Sequence, residues 1–403
     1  MTRRSLLSSL LLPGLLRSAP PLKLRRVDTL HFPKGHDSAP FWPHWTWLRL
    51  VTDSGLEGIG ETYPRTAQEA EMIHSTLVPM LKGRDLRDIE RIWTDFYQTF
   101  DYQIAGGTEI RVLSALDLAL WDLLGKALQT PVYQLLGGKS NPRVRLYNTC
   151  FPLRHDFLTD SDKIMREVKE RYGISAIKVW PFDQAARRNG CQFVTQADID
   201  EGLAPIRRLR DAFGSAIEIL VEFHSNWNVT AAARIARALE PFQPMWLEDM
   251  LQPGNPAQYR QLAEATALPL IAGERMAGRL QFQQLLDARA LKYVMFDVCW
   301  CGGVSEARKI ATLAAAQQLP VAPHTAGGPL LFYASTHLTT ALSNVWIQES
   351  CQRFYEHDWP LMLVDPLLPK DGSIAAPGLP GFGMQIRPEI WSHPAARLRS
   401  TDC

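Results

Sequence analysis

Titratable side chains punctuate the second half of this sequence at near-equal intervals: Lys178, Glu222 with His224, Glu248 with Asp249, Glu274, Asp297, His324 and Glu349. Each closes a short apolar run. Glu222, Glu248 and Glu274 follow one another at 26 residues, and the next steps, to Asp297, His324 and Glu349, are 23, 27 and 25. About 250 residues build the eight β/α units of a barrel, so one unit has roughly that length. The spacing predicts charges at the C-terminal ends of successive parallel strands, where a barrel carries its active site. Any one of them alone would read as a solvated loop charge or an ion pair. The set in phase does not.

Three carboxylates on neighbouring strands repel one another when buried without a cation. Glu222, Glu248 and Glu274 offer oxygens only, which suit a hard ion, Mg²⁺ first, with water or substrate oxygens completing the octahedron. No Cys or His stands among them, which argues against zinc. The competing reading is that one of the three pairs with Lys178 or Arg275. Asp297 and His324 end successive strands, so the carboxylate can fix the imidazole's tautomer and make it a general base. His224, two positions beyond Glu222, shares that residue's face of the strand. It would protonate a leaving group, or else only hydrogen-bond its neighbours. Lys178 offers a fixed positive charge to an enolate oxygen. Neither G-x-S-x-G, a P-loop nor G-x-G-x-x-G stands in a catalytic context, and Gly302-Gly303 reads as an ordinary helix start.

The elements that must position these residues are short apolar runs at 144–150, 176–180, 217–223, 245–247, 268–272, 293–296, 320–322 and 345–348, alternating with amphipathic helices. Eight such strands predict an α/β fold with a closed parallel barrel. Before them, 45–52 and 56–61 flank the turn Asp53-Ser54-Gly55 as a hairpin, and helical patterns follow near 67–82, 86–99 and 109–128. The first of the two units is therefore α+β. The Pro- and Gly-rich tail after Pro366 is expected to return to it.

The totals agree with one large barrel and a smaller domain: 403 residues, 46% apolar and 21% charged, with a formal net charge of +1. That balance excludes a basic nucleic-acid footprint. The six cysteines contain no C-x-x-C pair, and Cys299 and Cys301 are too close for an ordinary bridge, so free and mostly buried thiols are expected. At the N-terminus Arg3-Arg4 precedes an apolar run through Leu16 that is too short to span a bilayer, which needs about 20 residues. It is similar to a twin-arginine export signal, although Ser18-Ala19-Pro20 is a poor cleavage site. Periplasmic export is expected, a cytoplasmic leader being the alternative.

These residues resemble the mandelate racemase/muconate lactonizing enzyme family of the enolase superfamily, particularly its acid-sugar dehydratase branch of the galactonate dehydratase kind. The resemblance covers nearly everything after the leader. It includes Ser114-Ala115-Leu116-Asp117-Leu118-Ala119-Leu120-Trp121-Asp122, Pro131-Val132-Tyr133-Gln134-Leu135-Leu136-Gly137-Gly138, Ala272-Gly273-Glu274-Arg275 and Gly302-Gly303-Val304-Ser305-Glu306-Ala307. It implies a modified TIM-type (β/α)7β barrel with an N-terminal α+β capping domain. The boundaries would be a leader at 1–20, the cap at 21–140, the barrel at 141–365 and a C-terminal segment at 366–403 returning to the cap. It also implies metal ligation by Glu222, Glu248 and Glu274, a base dyad of His324 and Asp297, and a Glu349 that hydrogen-bonds the substrate carboxylate. Family racemases carry Lys-x-Lys on the second strand, whereas this chain has Lys178-Val179-Trp180. Glu222 stands where aspartate is common, followed by His224 as in dehydratases with an acidic histidine.

With a base on one face only, dehydration of a sugar acid is expected over racemisation. Mg²⁺ would hold the carboxylate, and Lys178, His224, Asp297, His324 and Glu349 would carry the chemistry to a 2-keto-3-deoxy acid. An epimerase or cycloisomerase of the same family is the alternative, and a non-catalytic sugar-acid-binding barrel is the alternative from another class. Substrate contacts are expected from Trp180 and Arg275, and from first-domain loops at 31–44 and 62–65 carrying His36, Trp42, His44 and Tyr63. The expected partners are a small carboxylate and further copies of the chain, with no nucleic acid and no membrane span.

Overall fold

A computed structural model describes residues 21–32, 45–100 and 106–403. Residues 1–20, with Arg3-Arg4, and the loop residues His36, Trp42 and His44 lie outside the described residues. The chain enters through β1 (Leu24–His31), then β2 (Thr46–Thr52) and β3 (Glu57–Thr62), the last two forming the expected hairpin. Helix α1 (Thr66–Met72) continues through one π turn at Ile73–Leu77 into α2 (Val78–Leu81), followed by α3 (Ile89–Thr99) and α4 (Thr108–Ala127).

Helix α4 is the packing helix of this unit, burying Leu113, Leu116, Leu120 and Leu123 among others. It lies directly against β3. The approach is possible because Gly58 and Gly60 have no side chains: a Cβ there would stand 2.2 Å from the Ala119 carbonyl oxygen and 1.9 Å from that of Ala115.

After α5 (Val132–Leu135) the chain alternates strand and helix. The strands are β4 (Val144–Thr149), β5 (Ala176–Val179), β6 (Glu218–Glu222), β7 (Trp246–Glu248), β8 (Leu270–Ala272), β9 (Tyr293–Val294) and β10 (Gln348–Ser350). Between them come α6 (Phe157–Tyr172), α7 (Asp183–Arg188), α8 (Gln196–Phe213), α9 (Val229–Leu239) and α10 (Pro256–Ala265). Helices α11 (Gly278–Asp287), α12 (Gly303–Ala316) and α13 (Pro329–Ala341) complete the set. The strands pair in parallel from β4 through β9, and β10 returns to pair with β4. The run expected as a strand at 320–322 is reduced to single bridges, Val294 to Val321 and Val321 to Val345. Pro320 and Pro323 flank Val321, and proline cannot donate to a ladder, so the seventh barrel position joins its neighbours by single bridges at Val321.

Parallel strands buried on both faces send alternate residues to opposite sides. Tyr147, Ala176, Leu220, Trp246, Ile271, Met295, Ala322 and Ile347 form one cluster inside the barrel, while their neighbours Leu146, Ile177, Val221, Leu247, Ala272 and Phe296 pack in the core against the helices. Two residues beyond each inward side chain the strand ends on the same face. Those positions are Thr149, Lys178, Glu222, Glu248, Asp297, His324 and Glu349. Strand β8 departs, because Gly273 follows at φ 127 and turns the chain, so Glu274 arrives one residue later.

The C-terminal segment adds β11 (Ser373–Ile374) antiparallel to β4 and β12 (Arg397–Asp402) antiparallel to β1, giving a first-domain sheet in the order β12-β1-β2-β3. All six cysteines are free; Cys150, Cys299, Cys301 and Cys351 are buried, while Cys191 and Cys403 are partly exposed. No described helix is long and apolar enough to cross a membrane.

Candidate active site and metal centre

Glu222, Glu248 and Glu274 end three adjacent strands and bring one carboxylate oxygen each to within 4.8 Å of the others, all three residues buried. Glu222 Oε1 accepts from the backbone N–H groups of Phe223 and His224 at 2.9 and 2.6 Å. Its Oε2 receives no hydrogen bond. Burial first, and then Glu274, push Glu222 up to about 7; burial and Glu222 push Glu248 well above the carboxylate range. Like charges crowded out of water hold protons unless a cation replaces them. The orphaned oxygen and the oxygen-only donor set fit a hard divalent ion.

The competing ion pairs are present as well. Lys178 Nζ, on β5, stands 2.7 Å from Glu248 Oε1, 2.8 Å from Glu349 Oε1 and 3.5 Å from Glu222 Oε2. Burial opposes its charge, but Glu248 and Glu349 raise its pKa well above the usual lysine value. Arg275 Nε donates to Glu274 Oε1 at 2.8 Å. Burial acts against ionisation of Glu274, yet His324 and Arg275 hold it down to about 2. Lys178 and Arg275 thus flank the carboxylate cluster without dispersing it.

His324 Nδ1 lies 2.7 Å from Asp297 Oδ2, and its Nε2 points to Glu274 Oε2 at 3.4 Å and Glu349 Oε2 at 3.7 Å. Burial disfavours its charge, but Glu349, Glu274 and Asp297 together raise it to about 9. Asp297 is fixed from two further sides, by the Cys299 N–H at 2.7 Å and by the Tyr63 hydroxyl, which donates to Oδ2 at 2.5 Å. Trp300 stacks on the His324 ring at 5.5 Å, and the Arg111 guanidinium lies over the Trp300 ring at 4.3 Å. Glu349 accepts from the Thr149 hydroxyl and from the Thr325 N–H at 2.6 Å. Burial opposes its ionisation, but Lys178 and His324 hold it below the usual range.

His224 follows Glu222 in the left-handed region at φ 50, with Ser225 at φ 60. Side chains disfavour that conformation. The turn brings His224 to the same cavity as His324, a space of about 270 Å³ lined also by Lys178, Trp180, Glu222, Glu274, Arg275 and Glu349. His224 Nδ1 meets Asp183 Oδ2 at 2.8 Å. Trp180 presents its ring to His224 edge-on at 6.0 Å and packs on Phe157 at 4.6 Å and Phe151 at 5.4 Å.

Lys178, Trp180, Glu222, His224, Glu274, Arg275, His324 and Glu349 therefore share one cavity, with Glu248 and Asp297 buried behind it. Tyr63 is not among the lining residues; it sits behind the dyad, against Asp297. Asp183, Thr149, Trp300 and the Tyr63–Asp297 contact were not singled out from the sequence. Thr149 and Trp300 carried a signal, since one sits two residues beyond an inward strand residue and the other three beyond Asp297.

Comparison with known proteins converges on one family. Residues 162–390 match the family described as enolase C-terminal domain-like, and residues 44–137 match the mandelate racemase/muconate lactonizing enzyme N-terminal domain. A D-galactonate dehydratase from Ralstonia nicotianae is 31% identical over 376 residues, covering 91% of this chain and 92% of the relative. One from Verminephrobacter eiseniae is 32% identical, covering 90% and 92%. Among solved structures, an enolase of the mandelate racemase subgroup from Agrobacterium tumefaciens superposes with a TM-score of 0.87 at 34% identity, covering 95% of this chain and 99% of that one.

Proposed function

The chain belongs to the mandelate racemase/muconate lactonizing enzyme family of the enolase superfamily, and on that premise we propose that it is a Mg²⁺-dependent dehydratase of sugar acids. What carries the reading is one cavity in which two histidines with separate carboxylate partners face three clustered carboxylates, while Trp180 fills the place of a second lysine base. The dehydratase names of the relatives support it.

Glu222, Glu248 and Glu274 would hold the ion. When bound, Mg²⁺ would polarise the substrate carboxylate and neutralise the acids that keep a proton on His324. His324, oriented by Asp297, takes the α-proton on Nε2, the nitrogen turned away from Asp297. Lys178 keeps a fixed positive charge beside the developing enediolate oxygen. Glu349, ionised in the free protein, can only accept, so it orients Lys178 there and needs a proton to donate to the substrate carboxylate. The enediolate then expels the C3 hydroxyl, which leaves as water with a proton from His224. The remaining enol ketonises to a 2-keto-3-deoxy acid. Indole cannot take a proton, so Trp180 cannot serve as a racemase's second base. Residues 21–140 with 366–403 are read as the cap and 141–365 as the barrel.

The test is a panel of acid sugars, D-galactonate first, incubated with Mg²⁺ and assayed for 2-keto acid. Formation of a 2-keto-3-deoxy acid from at least one member supports the proposal. Epimerised or cyclised products in its place refute it.

A further inference from the structure

We infer that Asp183 is the positioning residue of a second carboxylate–histidine pair, aiming His224 at the substrate. This rests on the dehydratase reading. Asp183 opens α7, three residues past Trp180, and is 8% exposed. Its Oδ2 engages His224 Nδ1 at 2.8 Å, while its Oδ1 is sealed from solvent and receives no hydrogen bond. Both residues line the cavity. The nearest cation, Arg187, is solvent-exposed and stands 3.8 Å from Oδ2, not from the empty oxygen.

Two things follow from that arrangement. With Nδ1 engaged by Asp183, the imidazole is left to present Nε2, on the opposite side of the ring, to the cavity. The left-handed backbone at His224 and Ser225 is a conformation that side chains resist, so the direction of the ring depends on what holds it: Asp183 on one edge and Trp180 across its face. Asp183 thereby places the proton that the leaving hydroxyl needs.

The experiment compares wild-type enzyme, Asp183→Ala and Asp183→Asn in D₂O with a dehydrated sugar acid, following product formation and deuterium at C2 of recovered substrate. Asp183→Ala should lose dehydration by about 10- to 100-fold, the usual cost of removing the partner that orients a functional imidazole. The loss should fall on kcat with KM near the wild-type value, and recovered substrate should gain deuterium because enolisation continues. Asp183→Asn, whose amide oxygen still accepts from Nδ1, should recover part of kcat. Unchanged dehydration in Asp183→Ala, or equal loss of exchange and dehydration in both variants, overturns the inference. Spectra of ¹⁵N-histidine-labelled protein, with His224 assigned from His224→Asn, separate this from failure of the dehydratase reading. If wild type dehydrates no acid sugar, that reading falls. A His224 signal that is Nδ1-protonated in wild type and altered in Asp183→Ala still supports the pair, and an unaltered signal overturns it.

Discussion

Two histidines reach one cavity with different partners, and the difference predicts different phenotypes. His324 is buried, bonded to Asp297 and faced by two carboxylates; His224 is more open and bonded to Asp183. His324→Asn should abolish both α-proton exchange with D₂O and product formation, with Mg²⁺ binding near normal. His224→Asn should lose product while exchange persists, since the enediolate can still form. NMR of recovered substrate reads both, and exchange surviving in His324→Asn would show that another base acts. The proposed ligands and dyad were legible because each sits in phase with one β/α unit. Tyr63 and Asp183 were not legible in these roles. Tyr63 meets Asp297 across 234 residues of sequence, and Asp183 lies on a helix outside the strand rhythm.

At the level of elements, one period of two does most of the positioning. An inward core residue followed two places later by a polar one recurs at seven of the eight barrel positions, and the exception is the glycine turn before Glu274. The strands β1 and β12 escaped notice because half or more of their residues are polar or charged and β12 is mostly exposed, which leaves little apolar alternation to read. The 320–322 run shows the opposite failure: its apolar residues are buried, yet two prolines limit its pairing to Val321. The close seat of β3 on α4 makes a sharp stability prediction. Gly60→Ala puts a Cβ 1.9 Å from the Ala115 carbonyl oxygen and should destabilise the protein by about 3 kcal/mol, as overpacking does. Gly254→Ala, with no atom within 4 Å of its Cβ, is the matched control and should be near neutral. A Gly60→Ala melting temperature within error of the control would show that α4 and β3 can part at no cost.

Across the whole molecule, the C-terminal segment is tied to both units. Asp122 on α4 accepts from the Ile59 and Phe382 N–H groups, and β12 extends the first sheet beside β1. On α13, His337 Nδ1 accepts from the Tyr133 N–H at 3.1 Å and its Nε2 lies 3.1 Å from the Phe382 carbonyl oxygen. Burial lowers its pKa to about 3 from 6.5, although the Phe382 carbonyl oxygen favours the protonated ring. The unfolded chain therefore takes up this proton first. The stability His337 contributes is complete above pH 6.5 and is lost as pH falls toward 3. His337→Gln should flatten the acid limb of melting temperature against pH between 6.5 and 4, and an unchanged slope would assign that limb to other groups.

The leader carries a separate prediction, since Arg3-Arg4 before an apolar run motivates export of the folded protein. Replacing both arginines by lysine should hold it in the cytoplasm, which cell fractionation reads, and unchanged fractionation would end the idea. The central claim, a cation-dependent elimination begun by proton removal beside a carboxylate, is tested most directly by ¹H NMR of a sugar acid and wild-type protein in D₂O, with Mg²⁺ and after exhaustive chelation. A 2-keto-3-deoxy acid should form only with the metal and return when Mg²⁺ is added back; turnover that survives chelation, or C2 epimers as the main product, would contradict that claim.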